Sequence, residues 1–120
     1  MSTQATNIKV QILSSGKKLR TMPVKTPEWG VEGLLIRELT LDERKEFEDR
    51  FQSDQDEATK WLREDFIIAT LIDKDRNQIF EESDKSEIGK LGSVVTDRIF
   101  NLSQKFSGIT ETQIQEEEKN

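Results

Sequence analysis

At 120 residues, with 32% hydrophobic and 35% charged side chains and a mean hydropathy of -0.73, the chain fits one domain with a modest core, and stability is expected to lean on self-association. The absence of Cys excludes a disulfide framework and a thiolate metal site, and the absence of His, Cys and Tyr removes the usual general bases and activated nucleophiles. No apolar run approaches the ~20 residues of a membrane helix, and no charged-then-apolar stretch opens the chain, so a cytoplasmic setting is expected.

Residues 1–7 are polar and read as an unordered N-terminus. Ile8, Val10 and Ile12 then alternate with Lys9 and Gln11 as a half-buried strand does. Ser14 to Lys17 supply a turn, and residues 19–24 return as a second strand, with Pro23 confined to an edge or a strand end because it has no amide to donate. Pro27 and Gly30 break the chain before a third short apolar run, Leu34-Leu35-Ile36. Residues 8–39 thus read as a small strand pair or hairpin. They also carry most of a charge imbalance: residues 1–25 hold Lys9, Lys17, Lys18, Arg20 and Lys25 and no acid, so the net -6 divides into +5 there and -11 beyond. These basic residues are few and have no aromatics interleaved for base stacking, which sets nucleic acid aside. The favoured reading is a solvated strand pair with lysines on its outer face and edge, and self-association should weaken with salt if it is head-to-tail contact between the two halves.

A helical region spans residues 40–109. Thr40 with Glu43 three residues on spells a capping box, in which the hydroxyl and the carboxylate satisfy each other's free backbone amides. The helix that follows carries Phe47 and Phe51 on one narrow apolar stripe among charges. After a break at residues 53–56, a second and more apolar helix bears Trp61, Leu62, Phe66, Ile68, Ala69, Leu71 and Ile72. Asp84 and Glu87 cap a short third helix, and the fourth is anchored by Val95, Ile99, Leu102 and Phe106, with Gly108 where a left-handed C-cap is wanted. The second and fourth helices are expected to form the core by themselves. The fold class is therefore α+β: a small N-terminal strand pair, a cluster of three to four helices, and a flexible acidic tail over residues 110–120, with residues 8–109 as one domain.

The sharpest chemical motif is Asp73-Lys74-Asp75-Arg76-Asn77, which opens like an EF-hand calcium loop, with Asp84 at the twelfth position. Its sixth position is Gln78 where the sharp turn wants glycine, the twelfth is a short Asp where a bidentate Glu is usual, and Lys74 and Arg76 bring positive charge into the cage. Asp73, Asp75, Asn77 and Asp84 are thus weak metal candidates, and the favoured reading is a solvated turn bonded to its own backbone. Glu81-Glu82 lies in polar surroundings that would not separate two carboxyl pKa values, and Gly89-Lys90-Leu91-Gly92-Ser93 lacks the spacing of a phosphate loop. The sequence points to no enzyme and no cofactor.

The order of the pieces is informative. Leu71-Ile72-Asp73, Asn77, Ile79-Phe80, Ser83-Asp84, Arg98-Ile99-Phe100 and Ser107-Gly108-Ile109 follow one another as a helix end, a polar turn, an apolar pair, an acidic cap and a last helix closed near a glycine. Upstream stand Pro27-Glu28-Trp29-Gly30, Ile36-Arg37-Glu38-Leu39-Thr40, Glu43-Arg44 and Phe47-Glu48. Over roughly residues 19–109 the chain resembles the small tail assembly chaperones of long-tailed bacteriophages. The resemblance implies a non-catalytic factor, made in the host cell cytoplasm and absent from the finished particle. Such a factor coats the tape measure protein, and a longer frameshift product recruits tail tube subunits. Glu118-Lys119-Asn120 can be written as an adenine run on which such slippage occurs. A structural tail or head-tail connector subunit, or a calcium module at residues 73–84, are the alternatives. The expected partner surface is Trp29 with Phe47 and Phe51, because the second and fourth helices can satisfy each other and leave the first as the most polar element.

Overall fold

A computed structural model describes residues 3–108; the expected acidic tail lies outside the described residues. The first element overturns an expectation. Thr3–Ser15 is a helix, α1, where Ile8, Val10 and Ile12 read as a strand. A strand leaves its amides to a neighbour, and five alternating residues bring none; a helix closes its own i to i-4 bonds, and Gln4, Ala5, Lys9, Gln11 and Leu13 all favour it. The helix also begins inside the stretch read as unordered.

The strand pair lies further on. β1 (Thr21–Pro23) runs antiparallel to β2 (Leu35–Arg37), which pairs in turn with β3 (Leu71–Ile72), in the order β1-β2-β3. Met22 faces Ile36 in the first ladder, and Ile36 faces Leu71 in the second. Pro23 sits at the end of an edge strand, as its missing amide requires, and blunts that edge. The β1–β2 connection holds a 3-10 turn, Pro27–Trp29, closed by Gly30 in the left-handed region at φ 68°. Beneath it the buried Thr26 hydroxyl donates to the Val31 carbonyl at 3.0 Å, so a polar side chain is satisfied inside the loop.

α2 (Leu41–Gln52) starts with the expected capping box: Glu43 N–H donates to Thr40 Oγ1 at 3.2 Å and Thr40 N–H to Glu43 Oε1 at 2.9 Å. The second predicted helix is cut at both ends. A single turn, α3 (Asp56–Thr59), precedes α4 (Leu62–Thr70), and Leu71 and Ile72 leave the helix to become β3. Their apolar spacing continues that of α4, but pairing with Leu35 and Ile36 decides their conformation. A bridge between Ile72 and Gln78 then closes the 73–77 turn. A 3-10 turn (Glu82–Asp84) leads into α5 (Lys85–Ile88) and then α6 (Ser93–Phe106), after which Gly108 takes the left-handed conformation its position demands, φ 81°.

The core is wider than a pair of helices. One cluster gathers Val24, Leu34 and Ile36 from the β1–β2 region, Ile67, Ile68 and Leu71 from α4 and β3, Ile88 from α5, and Val95 and Ile99 from α6. A second joins Leu39, Phe47, Leu62, Phe66 and Phe100, so both the sheet and α2 are needed to cover what α4 and α6 leave open. Between α4 and α6, the buried Thr70 hydroxyl donates to the Phe66 carbonyl at 2.8 Å and so accepts from the Ser103 hydroxyl at 2.9 Å. Thr70→Val should cost about 1–3 kcal/mol, because the Ser103 hydroxyl then loses this partner inside the core. Adding Ser103→Ala should recover part of the loss. Urea unfolding of the single and double variants measures the coupling, and strict additivity would show that the two hydroxyls do not depend on each other.

Candidate partner interface

None of the α1 residues is buried, yet the helix carries four aliphatic side chains. Ile8 is 50% exposed, Val10 and Ile12 each 61%, and Leu13 54%. Ala5, Ile8 and Ile12 fall at spacings of three and four, hence on one side of the helix, with Lys9 and Leu13 beside them. Isolated apolar side chains on a surface are ordinary, but Ile8 and Ile12, with Leu13 beside them, adjoin one another on one uncovered side of the helix, with Val10 opposite, and make a surface suited to being covered. Sequence reasoning missed this surface by reading the same residues as a half-buried strand. The absence of Gly and Pro from residues 3–15 was the signal that could have found it.

The three residues expected to meet a partner do not come together. Phe47 is 6% exposed and stacks on Phe66 with ring centroids 4.6 Å apart, so it has almost no area to offer. Phe51 is half-buried against Phe100 at 6.4 Å in the same cluster, whereas half-buried Trp29 packs on the first cluster. The reason is that α4 turns Phe66 toward α2, which makes the Phe47 stripe part of the core.

The Trp29 loop is nevertheless held in place. The Arg98 guanidinium of α6 grips the Glu28 carboxylate with two bonds, 2.9 and 2.6 Å, and also donates to the Lys25 carbonyl at 2.9 Å. Those bonds from Arg98 are the main cause that lowers the Glu28 pKa from its ordinary 4.5 to about 2. A carboxyl whose folded pKa is depressed stabilises the fold above its ordinary pKa and loses that contribution as pH falls to the folded value. The melting temperature should therefore fall between about pH 4.5 and pH 2, and less steeply in Glu28→Gln. Glu43, also lowered, chiefly by its bond to Arg37, keeps the remaining slope in that variant. Parallel pH profiles for the two proteins would show that the Glu28 pair does not contribute.

The 73–77 turn is occupied by its own backbone. Asp73 Oδ1 accepts the amides of Asp75 and Asn77 at 2.8 and 2.9 Å, and Oδ2 accepts Asn77 Nδ2 at 3.2 Å. The Asn77 amide is the largest of the causes that lower the Asp73 pKa. Arg76 takes a left-handed φ of 69°, a position where glycine is usual, and the turn bends there rather than at Gln78. Asp84 Oδ2 accepts the Glu81 amide at 2.7 Å and so caps the following turn. Among the described residues, no group of three or more His, Cys, Asp or Glu side chains stands close enough to hold a metal ion.

A second polar cluster ties α2, α4 and α5 together. Arg50 bonds Asp65 Oδ2 at 2.8 Å, while the Lys85 ammonium lies 3.0 Å from Asp65 Oδ1 and also meets Glu82. The contact to Asp65 Oδ1 is an ion pair without hydrogen-bond alignment. Glu82 first and Asp65 second hold the Lys85 pKa above its usual value. This cluster braces the fold, joining α2, α4 and α5.

The chain is thus a small α+β domain that presents an uncovered aliphatic helix. The chain belongs to the phage tail assembly chaperone family, whose model matches residues 7–120. No curated protein and no solved structure matches it. Membership of this family brings tail proteins as partners and tail assembly as the setting.

Proposed function

We propose that this chaperone acts without catalysis in the host cell cytoplasm, coating the tape measure protein during tail morphogenesis and leaving before the virion is complete. Family membership across nearly the whole chain carries the reading. The uncovered face of α1 supports it, since a long amphipathic helix needs an apolar partner in water and the net charge of -6 would keep the coated complex dissolved. Ile8, Ile12 and Leu13 form the contact surface in this proposal, with half-buried Trp29 as a second contact, while Phe47 and Phe51 hold α2 in the second cluster. Successive copies associate along the tape measure protein. A longer product made by slippage on the codons for Glu118 to Asn120 carries the recruiting segment for tail tube subunits.

Co-expression with the tape measure protein tests the coat. That protein should move from the insoluble to the soluble fraction and co-purify with this chain. A tape measure protein equally insoluble with and without it would overturn the reading, and finding this chain in purified virions would favour a structural subunit. Codons that interrupt the adenine run at Glu118 to Asn120 would remove the longer product and leave the coat to stand alone.

A further inference from the structure

Gln104 of α6 is 8% exposed, yet its carboxamide makes no hydrogen bond with any described residue. Its buried neighbour Ser103, by contrast, is satisfied by Thr70. A carboxamide carries two N–H donors and an acceptor oxygen, and enclosing them without partners costs free energy. The Gln104 amide is not sealed in, however, and opens onto a cleft of about 490 Å3 where α2, α4 and α6 meet. Phe51, Leu62 and Phe100 supply the apolar wall. Phe51 is the half-buried member of the three, its ring tilted against that of Phe100 with centroids 6.4 Å apart.

The charges around the cleft cancel. Arg63 is engaged by Asp97 at 2.6 Å and lies over the Phe100 ring at 5.1 Å. Lys60 and Glu64, one of each sign, share the wall and form no ion pair with a described residue. A phosphate or carboxylate would gain Lys60 but meet Glu64, so the site selects neither sign. What distinguishes it is one free carboxamide beside aromatic walls, which fits an uncharged group that both donates and accepts, next to an apolar side chain. Gln and Asn side chains are such groups. A helix has its own backbone amides already bonded and so offers side chains instead, and an amphipathic helix sets a Gln or Asn beside a Leu or Phe at a spacing of three or four.

We propose that the cleft at Gln104 is a further contact for the tape measure protein, seating an apolar side chain of one of its helices against Phe51 and Phe100 and pairing a Gln or Asn carboxamide of that helix with Gln104. The proposal rests on the coat reading and is independent of α1. Gln104→Leu replaces the amide by apolar atoms of similar size, and Asn101→Trp, at an exposed position on the same wall, obstructs the cleft. Gln104→Leu should leave the melting temperature unchanged or raise it, because the free protein loses an unpartnered amide and no bond. The complex purified after co-expression is then diluted serially and followed by sedimentation. The concentration at which half of it has dissociated should rise about tenfold with Gln104→Leu, since the partner carboxamide is left unpaired. Asn101→Trp should raise it at least as far. A melting temperature several degrees lower in Gln104→Leu would show that the amide serves the fold and would overturn the proposal. Dissociation of the Gln104→Leu complex at the parent's concentration would overturn it too, whatever Asn101→Trp does, and would leave the coat reading intact. Failure of the parent itself to hold the tape measure protein would defeat the coat reading and this contact together.

Discussion

Phe66→Ala should destabilise the protein by about 3–5 kcal/mol, a large share of the roughly 5–15 kcal/mol that holds a domain folded. Phe66 is fully buried and central to the second cluster, with the Phe47 ring at 4.6 Å and the Phe100 ring edge-on at 5.4 Å and 78°. Removing it leaves a cavity between α2, α4 and α6 and strips both neighbours of an aromatic contact worth about 0.5–1.5 kcal/mol each. Phe51→Ala, by comparison, deletes a half-buried ring 6.4 Å from Phe100 and should cost less. Urea unfolding at constant m-value gives both numbers. A loss below about 1 kcal/mol at Phe66 would mean that the cluster repacks around the hole and that the first cluster alone determines stability.

The parts of this fold that are legible in the sequence are those decided within a few residues. Thr40 and Glu43 spell their capping box locally, Gly108 is a glycine because its φ is positive, and Asp73 answers amides two and four positions on. The rest depends on distant partners. Leu71 and Ile72 continue the helical spacing of α4, and only β2, more than thirty residues earlier, draws them into a sheet. Ile8, Val10 and Ile12 satisfy a strand pattern over too short a span to outweigh the helix formers around them, and no strand lies alongside. Phe47 looked available for a partner because α2 is so polar, but its exposure is set by where α4 places Phe66. A cleft lined by Lys17, Lys18, Arg37 and Arg76 is not legible locally either: its cations come from the linker after α1, from β2 and from a turn, and no stretch of sequence holds them together.

Ile8→Asp with Ile12→Asp should abolish solubilisation of the tape measure protein while leaving the melting temperature nearly unchanged. The two expectations are separable because none of α1 is buried and both clusters lie elsewhere in the chain. At 50% and 61% exposure, each isoleucine has much of its side chain still to cover. Full burial of such a side chain stabilises by about 1.5–3 kcal/mol, so covering the exposed portions of two contributes ~2–3 kcal/mol to a complex. Replacing them with carboxylates forfeits that gain and adds a desolvation cost, a weakening of at least ~30-fold by the relation of about 1.4 kcal/mol per tenfold. Val94→Asp is the matched control, since Val94 is 69% exposed but sits at the start of α6. Pull-down of the tape measure protein by the three proteins discriminates between surfaces: α1 is the contact if the double variant fails while Val94→Asp performs like the parent. If the double variant retains the tape measure protein, α1 is excluded as the coat's apolar face.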